Sequence, residues 1–424
     1  MPVTSPNATA HAPAGQSLTR PPNTRYTHAN EQREAGRQQV LDTIRQAGSI
    51  ARIDIAQITS VSPATVTAIT SELLNAGLIE EVEPDADREG AKRGRPRVSL
   101  KIKGAAHLIA GIKISDKSAT VILLDFEGET VGEHEEPLPA AVMSPDEMAN
   151  LIATSLQRCC HAAGREIDQV SGLGLGLAGL IDANRNFVHW SPSLNQRNVE
   201  FGRVMQTVIA TPLFMDNDAN LVAIAEQQFG EGRGISDFIV ITIEQGVGMG
   251  IVLNDQIYRG HRGCGAEFGH TKVQLDGALC RCGQRGCLEA YVGDYALLRE
   301  ANIHASEEPE RDLSALYAKA SAGDALAKTI FDRAGRMFAM GLVNVINIFD
   351  PELVILSGEQ MAYDFLCSPE VLDRVRTCVV QVDEGLPNIR VHKWGDLMWA
   401  KGAAAYAIDR VSELTVQRLG ADAA

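Results

Sequence analysis

The sequence predicts an α/β protein with a small winged helix-turn-helix module toward its N-terminal end. Three observations carry this expectation. A run of short helical apolar patterns fills about residues 37–77. A charged segment between two short apolar runs follows them. From residue 105 onward, strands alternate with helices. A chain of 424 residues has room for two or three domains.

Residues 1–30 are rich in Pro, Thr, Asn, Ala and Ser without apolar periodicity, and read as a disordered tail. Helical spacing begins near Arg37, with Val40, Leu41 and Ile44, and resumes with Ile50, Ile53, Ile55 and Ile58 after a break at Gly48. Ser62-Pro63 predicts a sharp helix start, because Ser62 can accept from free backbone N–H groups and Pro63 sits where no donor is needed. Val66, Ile69 and Leu73 form the buried stripe of a helix ending at Gly77. Leu78-Ile79 reads as a strand, and the charged stretch up to Leu100 suits a β-wing.

Such a helix is expected to face the major groove of double-stranded DNA with Ser62, Ala64, Thr65, Thr67, Ala68 and Ser71. These residues are small or hydroxylated, so base readout is shallow and phosphate contacts carry much of the affinity. Lys92, Arg93, Arg95 and Arg97 supply the wing cations. The net charge of −15 does not oppose this, because the acidic excess lies beyond residue 103. A three-helix interaction module with a solvated loop is the competing reading.

In the second part, Leu108–Ile112 and Ala119–Asp125 read as paired strands, and 146–163 as a helix. Further strands are expected at Val170–Leu177, Leu213–Met215, Phe238–Ile243, Gly250–Leu253 and Leu353–Leu356, with helices at 219–229 and 325–347. No apolar run approaches the ~20 residues that span a bilayer, and 1–30 lack a secretory signal, so no membrane anchor and a cytoplasmic location are expected.

Eight cysteines in such a chain are thiols or metal ligands rather than disulfides. His270 with Cys280, Cys282 and Cys287 offers one imidazole and three thiolates, a complete tetrahedral set for a structural Zn²⁺, one per chain, with no position left for catalysis. Reduced cysteines without metal are the alternative.

Gly265-Ala266-Glu267-Phe268-Gly269-His270 and Cys280–Glu289 resemble the two signature segments of the ROK family of repressors, open reading frames and sugar kinases. Asp216–Asn220 is similar to that family's sugar-binding and catalytic segment, and Gly176–Asp182 to its Gly-Pro-Gly-Pro-Val-Asp loop without the prolines. The resemblance implies an actin-like (ribonuclease H-like) fold of two lobes enclosing a sugar cleft. It assigns Asn217, Asp218, Glu267, His270 and Glu289 to sugar hydroxyls, with Asp218 at the position of the kinases' general base. A preceding helix-turn-helix matches the repressor branch. The expected divisions are a tail over 1–30, the DNA-binding head over 31–103, one lobe over 104–216 completed by a helix over 396–424, and the other lobe over 217–395.

The phosphate side departs from the kinases. Their Asp-x-Gly-Gly-Thr loop is replaced by Lys113-Ile114-Ser115-Asp116-Lys117, and their second phosphate segment by Glu244–Gly250. A third, glycine-rich nucleotide loop is replaced by Ser357-Gly358-Glu359. Ser193, Asn195 and Gln196 stand where the kinases carry Asn-x-Gly-Trp. Phosphoryl transfer depends on positioning and neutralising phosphate, so the expectation is a non-enzymatic, sugar-responsive regulator of carbohydrate genes. It would act as a homodimer or homotetramer on an operator. An active ATP-dependent sugar kinase with a DNA-binding domain is the alternative, and a zinc-stabilised interaction protein the third reading.

Overall fold

The computed structural model describes residues 24–83, 98–303, 309–380, 385–392 and 396–422. The DNA-binding head contains α1 (Thr24–Ala47), β1 (Ile50–Ala51), α2 (Arg52–Thr59), α3 (Pro63–Asn75), β2 (Ile79–Val82) and β3 (Ser99–Ile102). The strands form an antiparallel sheet in the order β1-β3-β2. Ser62 Oγ accepts from the Thr65 backbone N–H at 3.2 Å, so α3 starts where its capping residue permits. Val66, Ile69 and Leu73 are buried beneath it.

Two expectations for this region are corrected. The helix α1 begins at Thr24, inside the segment expected to be a tail. Its packed turns at Val40, Leu41 and Ile44 supply the nucleus, and elongation from there orders only one residue per added bond. Ile50 belongs to a strand paired with Leu100, not to the second helix. With Ile50 removed, the apparent stripe dissolves: Ile55 is buried, whereas Ile53 and Ile58 are 50% and 66% exposed. The wing cations Lys92, Arg93, Arg95 and Arg97 lie outside the described residues.

The first lobe is built on β4 (Leu108–Ile114), β5 (Ser118–Asp125), β6 (Thr130–Pro137), β7 (Val170–Leu177) and, after the short pair β8 (Leu180–Asp182) and β9 (Phe187–Trp190), β10 (Leu213–Asn217). The helices α4 (Pro145–Ala162) and α5 (Phe201–Gln206) complete it. α6 (Asp218–Phe229) then leads into β11 (Phe238–Ile243), β12 (Val247–Leu253) and β13 (Gln256–Ile257) of the second lobe. There follow α7 (Glu289–Val292), α8 (Asp294–Asn302), α9 (Leu313–Ser321), α10 (Ala325–Phe349), β14 (Leu353–Ser357), α11 (Pro369–Cys378) and β15 (Asn388–His392). The last helix is α12 (Asp396–Asp422).

The two five-stranded sheets share one topology. Their orders are β10-β7-β4-β5-β6 and β13-β12-β11-β14-β15, each with its first strand central. That strand pairs antiparallel with the next one and parallel with a later one. This repeated pattern is the two-lobed, actin-like architecture.

α12 packs across β4 and β7 of the first lobe, while α6 packs on β11 and β12 of the second and against α12. The approach is backbone to backbone. A Cβ on Gly174 would stand 1.8 Å from the Ala403 carbonyl oxygen, one on Gly111 2.1 Å from that of Ala400, and one on Gly402 2.0 Å from that of Leu221. Only glycine fits these crossings.

The head is not loosely tethered. One apolar cluster joins Leu41, Ile44, Ile55, Leu73 and Leu100 of the head to Ile109, Ile122 and Phe126 of the first lobe and to Ala404, Ile408 and Val411 of α12. Arg45 spans the joint, with its guanidinium 4.6 Å from the Phe126 ring centroid, donating to the Phe126 carbonyl and, at 3.0 Å, to Ser412 Oγ. Beside it, Asp409 accepts from Gln228 Nε2 at 2.9 Å.

Two outcomes follow from this packing. Gly174→Ala forces α12 off the sheet and lowers the unfolding free energy by about 1–3 kcal/mol in urea melts. Burial pushes the Asp409 carboxyl up to about 7, against the opposing pull of Arg45 and with Asp42 and Glu413 adding to the rise. A raised carboxyl favours the protonated native state, so its contribution is complete at low pH and is lost as pH rises toward about 7. Asp409→Asn therefore gains stability relative to the parent protein as pH rises through that window, read as the difference between their denaturation midpoints.

Candidate functional site

The cleft side of α6 begins with its own cap. Asn217 Oδ1 accepts from the Ala219 N–H at 2.9 Å, and Asn217 Nδ2 donates to the Gly179 carbonyl at 2.9 Å. Asn217 thus ties α6 to the loop between β7 and β8. Asp218 follows at the first helical position and also accepts from the Ala219 N–H. Burial raises the Asp218 carboxyl; Lys113 and that N–H bond oppose the rise, and Asp216 adds to it. Asp216 itself is fully buried, accepting from Arg259 Nε at 2.7 Å and from Asn220 Nδ2 at 2.9 Å.

Glu267, His270 and Glu289 converge on this position. Glu267 Oε2 lies 4.0 Å from His270 Nε2. Burial lifts Glu267 to about 7, with His270 pulling it down and the Asp218 and Glu289 charges pushing it further up. Glu289 accepts from the Val247 N–H at 3.4 Å and the Tyr295 hydroxyl at 3.3 Å. Three carboxyl groups and an imidazole gathered in one part-exposed recess can accept from several hydroxyls at once. A carboxyl held near neutrality can also donate one bond.

Behind them lies the cysteine loop. The ligand atoms of His270, Cys280, Cys282 and Cys287 all lie within 4.8 Å of one another. Cys280 Sγ is 3.7 Å from His270 Nδ1, and Cys282 Sγ is 3.7 Å from Cys287 Sγ. A tetrahedron with metal–sulfur bonds of about 2.3 Å has edges of about 3.8 Å, so this set has the dimensions of a tetrahedral soft-metal centre. Gly286 makes the turn possible: its φ is +77°, and a Cβ there would stand 1.7 Å from the Gln274 carbonyl oxygen. Lys272 Nζ donates to Cys287 Sγ at 2.9 Å, so this sulfur is also held from outside the four-residue set.

At the segments that depart from the kinases' phosphate loops, side chains bond within the protein itself. Lys113 is buried on β4, its Nζ 3.4 Å from Glu244 Oε2 of the second lobe and 4.0 Å from the Trp399 ring centroid. Gln360, 1% exposed, donates from Nε2 to the Val292 carbonyl at 3.0 Å, to the Glu244 carbonyl at 3.3 Å and to Asp294. Sequence reasoning noted Lys113 and Glu244 only as lost kinase residues and missed their pairing. The available signal was the complementary sign of the two changes. Gln360, Arg259 and Tyr295 had no motif to mark them.

The other expected residues divide into two groups. On α3, Ser62, Ala64, Thr65, Thr67, Ala68 and Ser71 are all exposed on the face opposite Val66, Ile69 and Leu73. Thr67 and Ser71 spend their hydroxyl protons on the Pro63 and Thr67 carbonyls. Ser193 is buried, whereas Asn195 and Gln196 are exposed, in a loop bonded to Met143.

A two-lobed kinase-like cleft with a Cys₃His loop, joined to a winged helix-turn-helix, defines a class. The chain belongs to the ROK family, whose profile matches residues 109–410, and residues 37–80 match a winged helix-turn-helix DNA-binding domain. It is 28% identical over 359 residues to the N-acetylglucosamine repressor of Escherichia coli O6:H1, covering 83% of this chain and 87% of that protein. Among solved structures it resembles a ROK family transcriptional regulator homologous to the E. coli MLC protein, at 26% identity and a TM-score of 0.77, covering 92% and 99% of the two chains. A ROK family glucokinase from Streptomyces griseus, bound to glucose and AMPPNP, matches at 27% identity and a TM-score of 0.60, covering 71% of this chain and 99% of that one.

The double bonding of Asn217 yields one expected outcome. Asn217→Ala costs about 1 kcal/mol of stability in denaturant melts through the lost cap, and Asn217→Ser recovers part of it.

Proposed function

We propose that the protein is a sugar-responsive DNA-binding transcriptional repressor whose kinase-like domain performs no phosphoryl transfer. One observation carries the reading: hydroxyl-accepting groups converge on the sugar side of the cleft, while the phosphate side is closed by Lys113–Glu244 and by Gln360. Asn217, Asp218, Glu267, His270 and Glu289 hold the sugar, with Asp218 retained as a hydroxyl acceptor rather than a base. The exposed face of α3 enters the major groove, and the wing cations bind phosphate. Zinc on His270, Cys280, Cys282 and Cys287 fixes the loop that presents His270 and Glu289. The head over 31–103 and the lobes over 104–216 and 217–395, with α12 closing the first, are the working units. Two copies act together, because only paired heads can read two half-sites.

Support for DNA binding comes from the winged helix-turn-helix match and the similarity to named repressors. The kinase reading draws on the glucokinase likeness and on Asp218.

The deciding experiment titrates purified protein with duplex DNA from upstream of its own gene, at two salt concentrations, with and without glucose or N-acetylglucosamine. The expected result is binding that weakens steeply with salt and shifts at least about fivefold with a sugar, with no ADP formed from ATP. Salt-insensitive or absent DNA binding overturns the reading, and sugar-dependent ADP production abolished by Asp218→Asn establishes the kinase instead. Elemental analysis is expected to find about one zinc per chain, lost together with thermal stability in Cys287→Ser.

A further inference from the structure

The short helix α6 runs from the sugar side of the cleft toward the DNA-binding head. α6 carries Asn217 and Asp218 at its cleft end. Its other end meets the head and the elements that seat it at three places. Gln228 Nε2 donates to Asp409 on α12, next to the buried Arg45 of α1. Phe229 packs beside Gly128, in the turn whose neighbour Glu127 pairs with Lys101 of the wing strand β3 at 3.3 Å. Just past the helix, Arg233 donates to the carbonyl of Gln46, in the last turn of α1, at 3.3 Å.

Between these ends, α6 has one point of closest support. Gly402 of α12 lets the Leu221 carbonyl approach so closely that any Cβ would overlap it. Leu221 lies about one turn from the cleft end and about two turns from Phe229. At about 1.5 Å per residue the arms from Asp218 and Phe229 are about 4.5 and 12 Å long. A shift of about 1 Å at Asp218 becomes about 2.5 Å at the far end, enough to carry a hydrogen bond of about 3 Å beyond its useful range.

We propose that α6 is a lever, pivoting on Gly402, that transmits occupancy of the cleft to the DNA-binding head through Gln228–Asp409 and Arg233–Gln46. The proposal rests on the regulator reading above. α12 is locked to the first lobe at Gly111 and Gly174, so it serves as the fixed bar. α6 packs on β11 and β12 of the second lobe as well as on α12, so a displacement of the second lobe bears directly on it. Closure of the lobes around a sugar then changes the contacts under α1 without any element unfolding. Gln228 and Arg233 are positioning residues in this scheme and touch neither ligand.

The test uses the full-length protein and the variants Arg233→Ala and Gln228→Ala, singly and together, with glucose and N-acetylglucosamine as probes. Arg233 is exposed, so its replacement leaves the core intact. Sugar affinity without DNA and DNA affinity without sugar are expected to stay within about twofold of the parent, while the factor linking them falls from at least about fivefold toward one. Arg233→Lys, which keeps a donor, restores part of that factor. A double variant with the parent's full coupling overturns the lever. A parent protein in which neither sugar alters DNA binding removes the regulator reading for those sugars instead. In that event a sugar-free double-mutant cycle decides the lever: Asn217→Ala and Arg233→Ala must be non-additive in DNA affinity, and additivity overturns it.

Discussion

The packing of α12 against bare backbone is the constraint on which the rest of the molecule depends. Glycines at 111, 174 and 402 bring main chain against main chain, and no rotamer change can absorb movement at such crossings. The first lobe, α12 and the head consequently share one apolar cluster and behave as one body. The second lobe lies outside that cluster, and α6 packs between it and α12.

Much of this was legible in the sequence where local chemistry determines structure. Ser62-Pro63 begins a helix because of capping, and Val170–Leu177 and Phe238–Ile243 are strands at the bounds their apolar runs suggest. The Cys₃His set was legible because thiolates at short spacing with intervening glycines have few other uses. What escaped notice depends on contacts far apart in sequence. Ile50 reads as part of a helix until its partner Leu100 is known. The glycines of β4 and β7 look like strand weaknesses until α12, more than 200 residues later, is laid on them. Gln360 and Arg259 are ordinary polar residues until the elements around them are assembled.

Electrostatics divides the cleft. On one side burial holds the Asp218 and Glu267 carboxyls above their ordinary range, and the Asp218 charge adds to the rise at Glu267, although Glu267 remains partly exposed. On the other side Lys113 and Glu244 pair across the lobes.

The Lys113–Glu244 contact also bears on how such a protein changes over generations. Replacing Lys113 by an acid would set two carboxylates face to face, and replacing Glu244 by a neutral residue would remove one of the charges that face the buried Lys113 ammonium. Each single exchange therefore costs stability. The two positions can change cheaply only together, so the contact holds its own sequence in place.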